Sequence, residues 1–215
     1  MSPWLGSLRV EGGNNSSMMR SDCCWWLVLV ASMSLFPLSA CQPRSAPIFN
    51  SIDITGAEYG RSFSLPDPGG ATRTLSDFKG KIVMVFFGYT QCPDVCPTTL
   101  SRAIEVRKLL GSDADKVQVV FVTLDPERDT PDLLRDYMNA FDASFVALRG
   151  DAQSTADTAK EFKVFYQKVP ISSSYGINHT AATYVFDPKG RLRLGLRHAQ
   201  SAQDVAADLK ILLRE

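Results

Sequence analysis

The chain has 215 residues, enough for one well-buried domain with a leader and too few for two domains of ordinary size. Its 23 basic residues balance 23 acidic ones and 45% of its residues are hydrophobic, an ordinary globular composition. No clustered basic stripe, tandem repeat or heptad pattern is present, which argues against a nucleic-acid partner.

Residues 23–38 carry no charge, and the run stops at Pro37 ahead of Leu38-Ser39-Ala40-Cys41. A spanning helix needs ~20 apolar residues, so this shorter run fits the apolar core of a secretory signal over residues 1–40. Leu38-Ser39-Ala40-Cys41 resembles a bacterial lipobox, in which the cysteine is lipidated and becomes the first mature residue. Cys41 is then the expected lipid anchor, and the protein is expected in the bacterial cell envelope, facing the periplasm. An uncleaved signal anchor is the alternative. Arg20 is the nearby cation and Asp22 opposes it, while residues 1–17 read as neither signal nor fold, so translation is expected to start at Met18 or Met19. Cys23 and Cys24 leave with such a leader, and Cys92 and Cys96 remain as thiols. In an oxidising compartment that pair is a disulfide or a protected metal site.

Residues 42–55 are rich in Pro, Ser and polar side chains and read as a tether, with the folded domain starting near Gly56 and running over 56–215. Phe63-Ser64-Leu65 ahead of Gly69-Gly70 predicts a small N-terminal hairpin. Ile82 to Phe87 is apolar without alternation, the pattern of a strand covered on both faces. Thr98 to Leu110 carries a helical apolar face ended by Gly111, and Val117 to Leu124 is a second continuous buried strand. Strand, helix and strand at this spacing predict a right-handed crossover with a parallel pair. A helix follows over Pro131 to Ala140, with Thr130 before its proline, then a short strand over Phe145 to Leu148 and a helix over Ala152 to Phe165. Thr183 to Phe186 and Arg191 to Leu196 flank Asp187-Pro188-Lys189-Gly190, a turn that predicts a C-terminal antiparallel hairpin. The last helix is expected over Ala202 to Leu213. The sum is an α/β fold similar to the thioredoxin-like architecture: a mixed sheet flanked by helices, with a hairpin at each end.

The cysteines stand at the C-terminal end of the first buried strand, in Gly88-Tyr89-Thr90-Gln91-Cys92-Pro93-Asp94-Val95-Cys96-Pro97. Ligands and reactive groups of open α/β sheets collect at that edge. Proline disfavours the α conformation in the residue before it, so Pro97 is expected as the first helical residue and both thiols in the loop, where the helix dipole favours thiolate. Three residues separate the cysteines where thioredoxin-type redox enzymes have two, and the extra one lets both sulfurs face a shared ion. Taken alone, the pair serves a structural disulfide as well as a metal.

His179, just before the strand expected near Ala182, tips the balance. Thioredoxin-like proteins usually keep a cis proline there, facing the cysteine loop. An imidazole opposite two thiolates makes a three-ligand site suited to copper in either oxidation state, whereas structural zinc wants a fourth ligand. His198 follows the last expected strand and reads as a surface residue. Asp125 ends the second buried strand on the same edge and is expected to support the ligands from behind, dock a partner or cap its loop; Asp94, inside the cysteine loop, is expected to shape it or tune its charge. The acidic and basic run Asp125 to Thr130 reads as solvated, with Arg128 and Asp129 paired locally.

Cys92-Pro93-Asp94-Val95-Cys96-Pro97, then Val122-Thr123-Leu124-Asp125-Pro126-Glu127-Arg128-Asp129-Thr130-Pro131, then Asn178-His179-Thr180 before Tyr184-Val185-Phe186-Asp187-Pro188, resembles the Sco/SenC family in order and spacing over residues 56–215. The resemblance implies one copper ion per chain on Cys92, Cys96 and His179. It also implies a role in assembling the binuclear copper centre of cytochrome c oxidase subunit II, with a copper donor or thiol reductant as further partner. Two other readings use the same cysteines: a thiol-disulfide oxidoreductase that keeps the target's copper-ligand thiols reduced, and a copper or redox sensor. A metallochaperone is expected ahead of an enzyme.

Overall fold

Strand β4 (Ile82–Gly88) is buried at every position because the sheet around it is covered on both faces. Its alternate side chains divide between two cores. Ile82, Met84 and Phe86 join Leu100, Val106, Leu134 and Leu209 on one face; Val83, Val85 and Phe87 join Phe63, Leu65, Phe78 and Phe162 on the other. A seven-residue strand with no polar face follows directly from that double cover.

The computed structural model describes residues 47–215. The expected leader, its start at Met18 or Met19, and the lipidation site Cys41 lie outside the described residues. Within them the strands are β1 (Ile52–Asp53), β2 (Ser64–Pro66), β3 (Thr72–Thr74), β4, β5 (Val117–Thr123), β6 (Val146–Leu148), β7 (Tyr166–Ile171), β8 (Ser174–His179), β9 (Thr183–Phe186) and β10 (Leu192–Leu196). The helices are α1 (Val95–Leu110), α2 (Pro131–Phe141), α3 (Ala152–Glu161) and α4 (Ala202–Leu212). Six strands form one mixed sheet in the order β1-β10-β9-β4-β5-β6. β4, β5 and β6 run parallel, while β9 is antiparallel to β4 and β10 to β9. The mixed sheet with flanking helices and a hairpin near each end is the expected fold class, with β2–β3 as the first hairpin and β9–β10 as the last.

Local chemistry explains the helix ends. Thr130 caps α2, its hydroxyl accepting from the Leu133 N–H at 3.3 Å, and Pro131 takes the first position. Asp151 caps α3 by accepting from the Ser154 N–H at 2.7 Å. That helix ends at Glu161, short of the expected Phe165, because Lys163 adopts φ 52° and turns the chain out of the helical path. Helix α1 begins earlier than expected, at Val95, which puts Cys96 in its first turn and Pro97 third in the helix. The first four helical N–H groups have no intrahelical partner, so a proline there costs no hydrogen bond.

Two segments depart from the expected organisation. The chain is already part of the fold before Gly56: Ile52 and Asp53 pair with Gly195 and Leu194. Asp208 of α4 accepts from the Asn50 N–H at 2.9 Å, the Ser51 N–H at 2.8 Å and the Ser51 hydroxyl at 2.5 Å. The tether expected over 42–55 therefore overlaps the folded body in its last residues. The second departure is β7–β8, a separate antiparallel pair in a region to which the sequence assigned no helix or strand. Among the described residues no helix is long and apolar enough to cross a membrane.

Candidate metal centre

Parallel strands β4 and β5 end side by side, Gly88 opposite Thr123, and the chain continues from them into the cysteine loop and the Asp125–Asp129 loop. Cys92, Cys96 and His179 converge above this edge, with one ligand atom from each lying within 4.8 Å of the other two. Cys96 Sγ is 3.9 Å from His179 Nε2. Metal–ligand bonds of about 2.0–2.3 Å set the atoms of a trigonal site ~3.5–4 Å apart, so a small closure completes the triangle. Cys96 is fully buried and Cys92 is 9% exposed, and both are free thiols.

The two sulfurs are not equivalent. Cys92 Sγ accepts the Cys96 N–H at 3.4 Å, in the first turn of α1, where unpaired amides and the dipole favour negative charge. The Cys92 thiol is pulled down to about 4, first by the hydrogen bond from Cys96 and then, against the cost of burial, by His179 and the backbone N–H groups of Cys96 and Asp94. Cys96 is pushed well above the ordinary thiol range, because it donates to Cys92 and because it is buried. The negative charge of the pair is therefore favoured on Cys92.

His179 is the last residue of β8, half-buried, with its Nδ1 3.0 Å from the Thr180 carbonyl. That carbonyl can only accept, so Nδ1 is held as a donor and Nε2 is the ring nitrogen that faces the sulfurs. Tyr89 and Phe86 meet the ring edge-on, at centroid distances of 6.2 and 6.3 Å. Gly88 lies beneath Cys96: a Cβ there would stand 2.7 Å from Cys96 Sγ and 2.9 Å from the Phe121 ring.

Acidic residues stand around this edge. Asp125 is fully buried, its carboxylate paired with Arg128 and accepting the Tyr175 hydroxyl at 2.8 Å, so it faces inward behind the cysteine loop. Asp94 occupies the N-cap position of α1 without a side-chain cap bond; it is exposed and accepts the Thr98 hydroxyl at 3.3 Å. The run Asp125 to Thr130 is solvated only in part: Glu127 and Thr130 are exposed, whereas Asp129, like Asp125, is fully buried. Asp129 accepts the Thr90 N–H at 3.1 Å, the Thr90 hydroxyl at 2.6 Å and the Thr123 hydroxyl at 2.5 Å, pinning the cysteine loop to the end of β5. Sequence reading missed Asp129, Thr90 and Gly88; a carboxylate spaced along a loop between two threonines carries no periodic signal. His198 is half-buried, with Nδ1 enclosed and unbonded, and is not the free surface residue expected.

The sequence pattern of the SCO1/SenC family matches residues 53–214. The chain belongs to the SCO1/SenC family. An SCO2-like protein of Rickettsia conorii is 31% identical over 169 residues, 76% of this chain and 82% of that one. The copper-bound structure of ScoI from Bradyrhizobium japonicum is 40% identical, with a TM-score of 0.66, covering 73% of this chain and all of the other. The solution structure of metal-free Sco1 from Thermus thermophilus is 37% identical, with a TM-score of 0.68, over 79% of this chain and all of that one. The thioredoxin-like sheet with a cysteine loop at the ends of its parallel strands is thus the SCO1/SenC frame.

Proposed function

We propose that this protein binds one copper ion per chain through Cys92, Cys96 and His179 and delivers it to the binuclear copper centre of cytochrome c oxidase subunit II. The observation that carries the reading is the donor set itself: two sulfurs and an imidazole nitrogen within 4.8 Å, one thiol with its pKa drawn down to about 4. Soft sulfur with imidazole suits copper, and three donors leave room for a ligand of the receiving protein to enter. Copper bound to the Bradyrhizobium relative supports the choice of metal. Delivery in the cell envelope accords with a signal over residues 1–40 and a lipid on Cys41, with a copper donor or thiol reductant resetting the site.

The test is copper titration of the reduced protein beside His179→Ala, followed by transfer to a soluble subunit II fragment. One equivalent is expected to bind. The variant is expected to lose at least about tenfold in Cu(II) affinity together with the nitrogen contribution to the spectrum. Unchanged Cu(II) affinity in the variant would remove His179 from the site.

The unequal thiols favour a second reading. A low-pKa Cys92 and a buried Cys96 are the attacking and resolving groups of thiol-disulfide exchange. In that role the pair closes to a disulfide while the disulfide of the oxidised target opens to two thiols, readying it for copper. Exchange with oxidised subunit II that persists in His179→Ala would favour this role.

A further inference from the structure

His179 sits on an arm. The β7–β8 pair shares no ladder with the six-stranded sheet, so side chains determine where it stands over the cysteine loop. They meet at Arg128. Its Nη1 donates to Gln91 Oε1 at 3.1 Å, one residue before Cys92, and on β8 to the Tyr175 carbonyl at 2.8 Å and the Ser174 hydroxyl at 3.2 Å. Its Nε pairs with the buried carboxylate of Asp125, which also accepts the Tyr175 hydroxyl. The guanidinium carbon lies 3.6 Å from the centre of the Tyr175 ring and 5.8 Å from that of Tyr89. Nη2 is buried without a hydrogen bond, so the group is held by its fork and its stack.

Balancing the charge of Asp125 alone would need any cation. The observed contacts need a planar fork that bonds sideways to the cysteine loop and to β8 and stacks on a ring, which an ammonium does not provide. We propose that Arg128 is a positioning residue of the metal site: by gripping Gln91 on the cysteine loop and Ser174 and Tyr175 on the arm together, it places His179 against the two sulfurs before any ion arrives. The proposal rests on the copper reading for what His179 receives, while the placement of the arm belongs to the metal-free chain.

The experiment compares the full chain with Arg128→Lys, first metal-free and then with copper. Amide exchange reads the arm at Ile177, whose N–H donates to the Tyr89 hydroxyl at 3.2 Å, and the core at Val85 and Phe121. The lysine variant is expected to exchange about tenfold faster or more at Ile177 with the core amides unchanged. Its Cu(II) affinity should fall about tenfold with weakened nitrogen coupling, while Cu(I), which two thiolates can hold, binds as in the wild type. Wild-type exchange and wild-type Cu(II) binding in Arg128→Lys would overturn the proposal, as would acceleration of arm and core together. A wild-type copper spectrum without nitrogen coupling would instead overturn the ligand set proposed above, with the exchange comparison still deciding the placement of the arm.

Discussion

Cys96 rests against a residue that has no side chain, and Gly88 is glycine for that reason. An added methyl at 2.7 Å from the sulfur and 2.9 Å from Phe121 has no space in a buried site. Gly88→Ala is therefore expected to cost about 1–3 kcal/mol in urea denaturation and to weaken copper binding by displacing Cys96. The same scale decides reactivity. Because the Cys92 thiol titrates near 4, its alkylation by iodoacetamide should vary little between about pH 6 and pH 8, where an ordinary thiol gains roughly tenfold per unit. A rate that climbs through that range would show that Cys92 is protonated at neutral pH. The cysteines were readable in the sequence because few residue types hold soft metals and only three residues separate them, and His179, 83 residues beyond Cys96, because it stands just before a readable strand. Gly88, Thr90 and Asp129 were not, since their importance lies in contacts between segments far apart in the chain.

Elements with a continuous apolar run or a helical stripe were readable; those stabilised by half-exposed pairing were not. β7 exposes four of its six residues and contains Pro170, and its turn is made by Ser172 and Ser173 with no glycine, even though Ser172 has φ 40°. Nothing in Tyr166 to His179 announces a strand pair, so His179 was expected in a loop and proves to end a strand. The N-terminal strand β1 is only two residues long, and the two residues before it are held by a carboxylate remote in sequence. Asp208→Ala leaves the N–H groups of Asn50 and Ser51 without their acceptor and is expected to cost about 2–3 kcal/mol. Faster amide exchange at Asn50 and Ser51 should accompany it; stability within error of the wild type would mean that the strap adds nothing to the fold.

At the scale of the whole molecule, the order of strands and helices implied a mixed sheet, and with it an edge where two parallel strands and a helix N-terminus meet. The sequence could not reveal how charge is buried around that edge, and this sets the response to acid. Burial raises Asp187, but hydrogen bonds from the Arg191 side chain and backbone more than offset it and leave its carboxyl below the usual range. Glu215 is lowered by its hydrogen bond with Arg193. A folded-state pKa below the unfolded value gives stability that is complete above the unfolded value and is lost as pH falls. Asp129 works the other way: burial outweighs the bonds from Thr123 and Thr90 and raises it, so its charge opposes folding at neutral pH and that penalty is relieved in acid. Unfolding free energy measured from pH 7 downward should therefore fall in the wild type. Asp187→Asn should start lower and fall less, because the lost ionisation is already absent. Asp129→Asn should fall more steeply than the wild type, having no penalty left to relieve. If Asp187→Asn kept the wild-type slope, the ion pairs around β9 and β10 would have no part in acid sensitivity, and the loss would have to come from the exposed carboxylates instead.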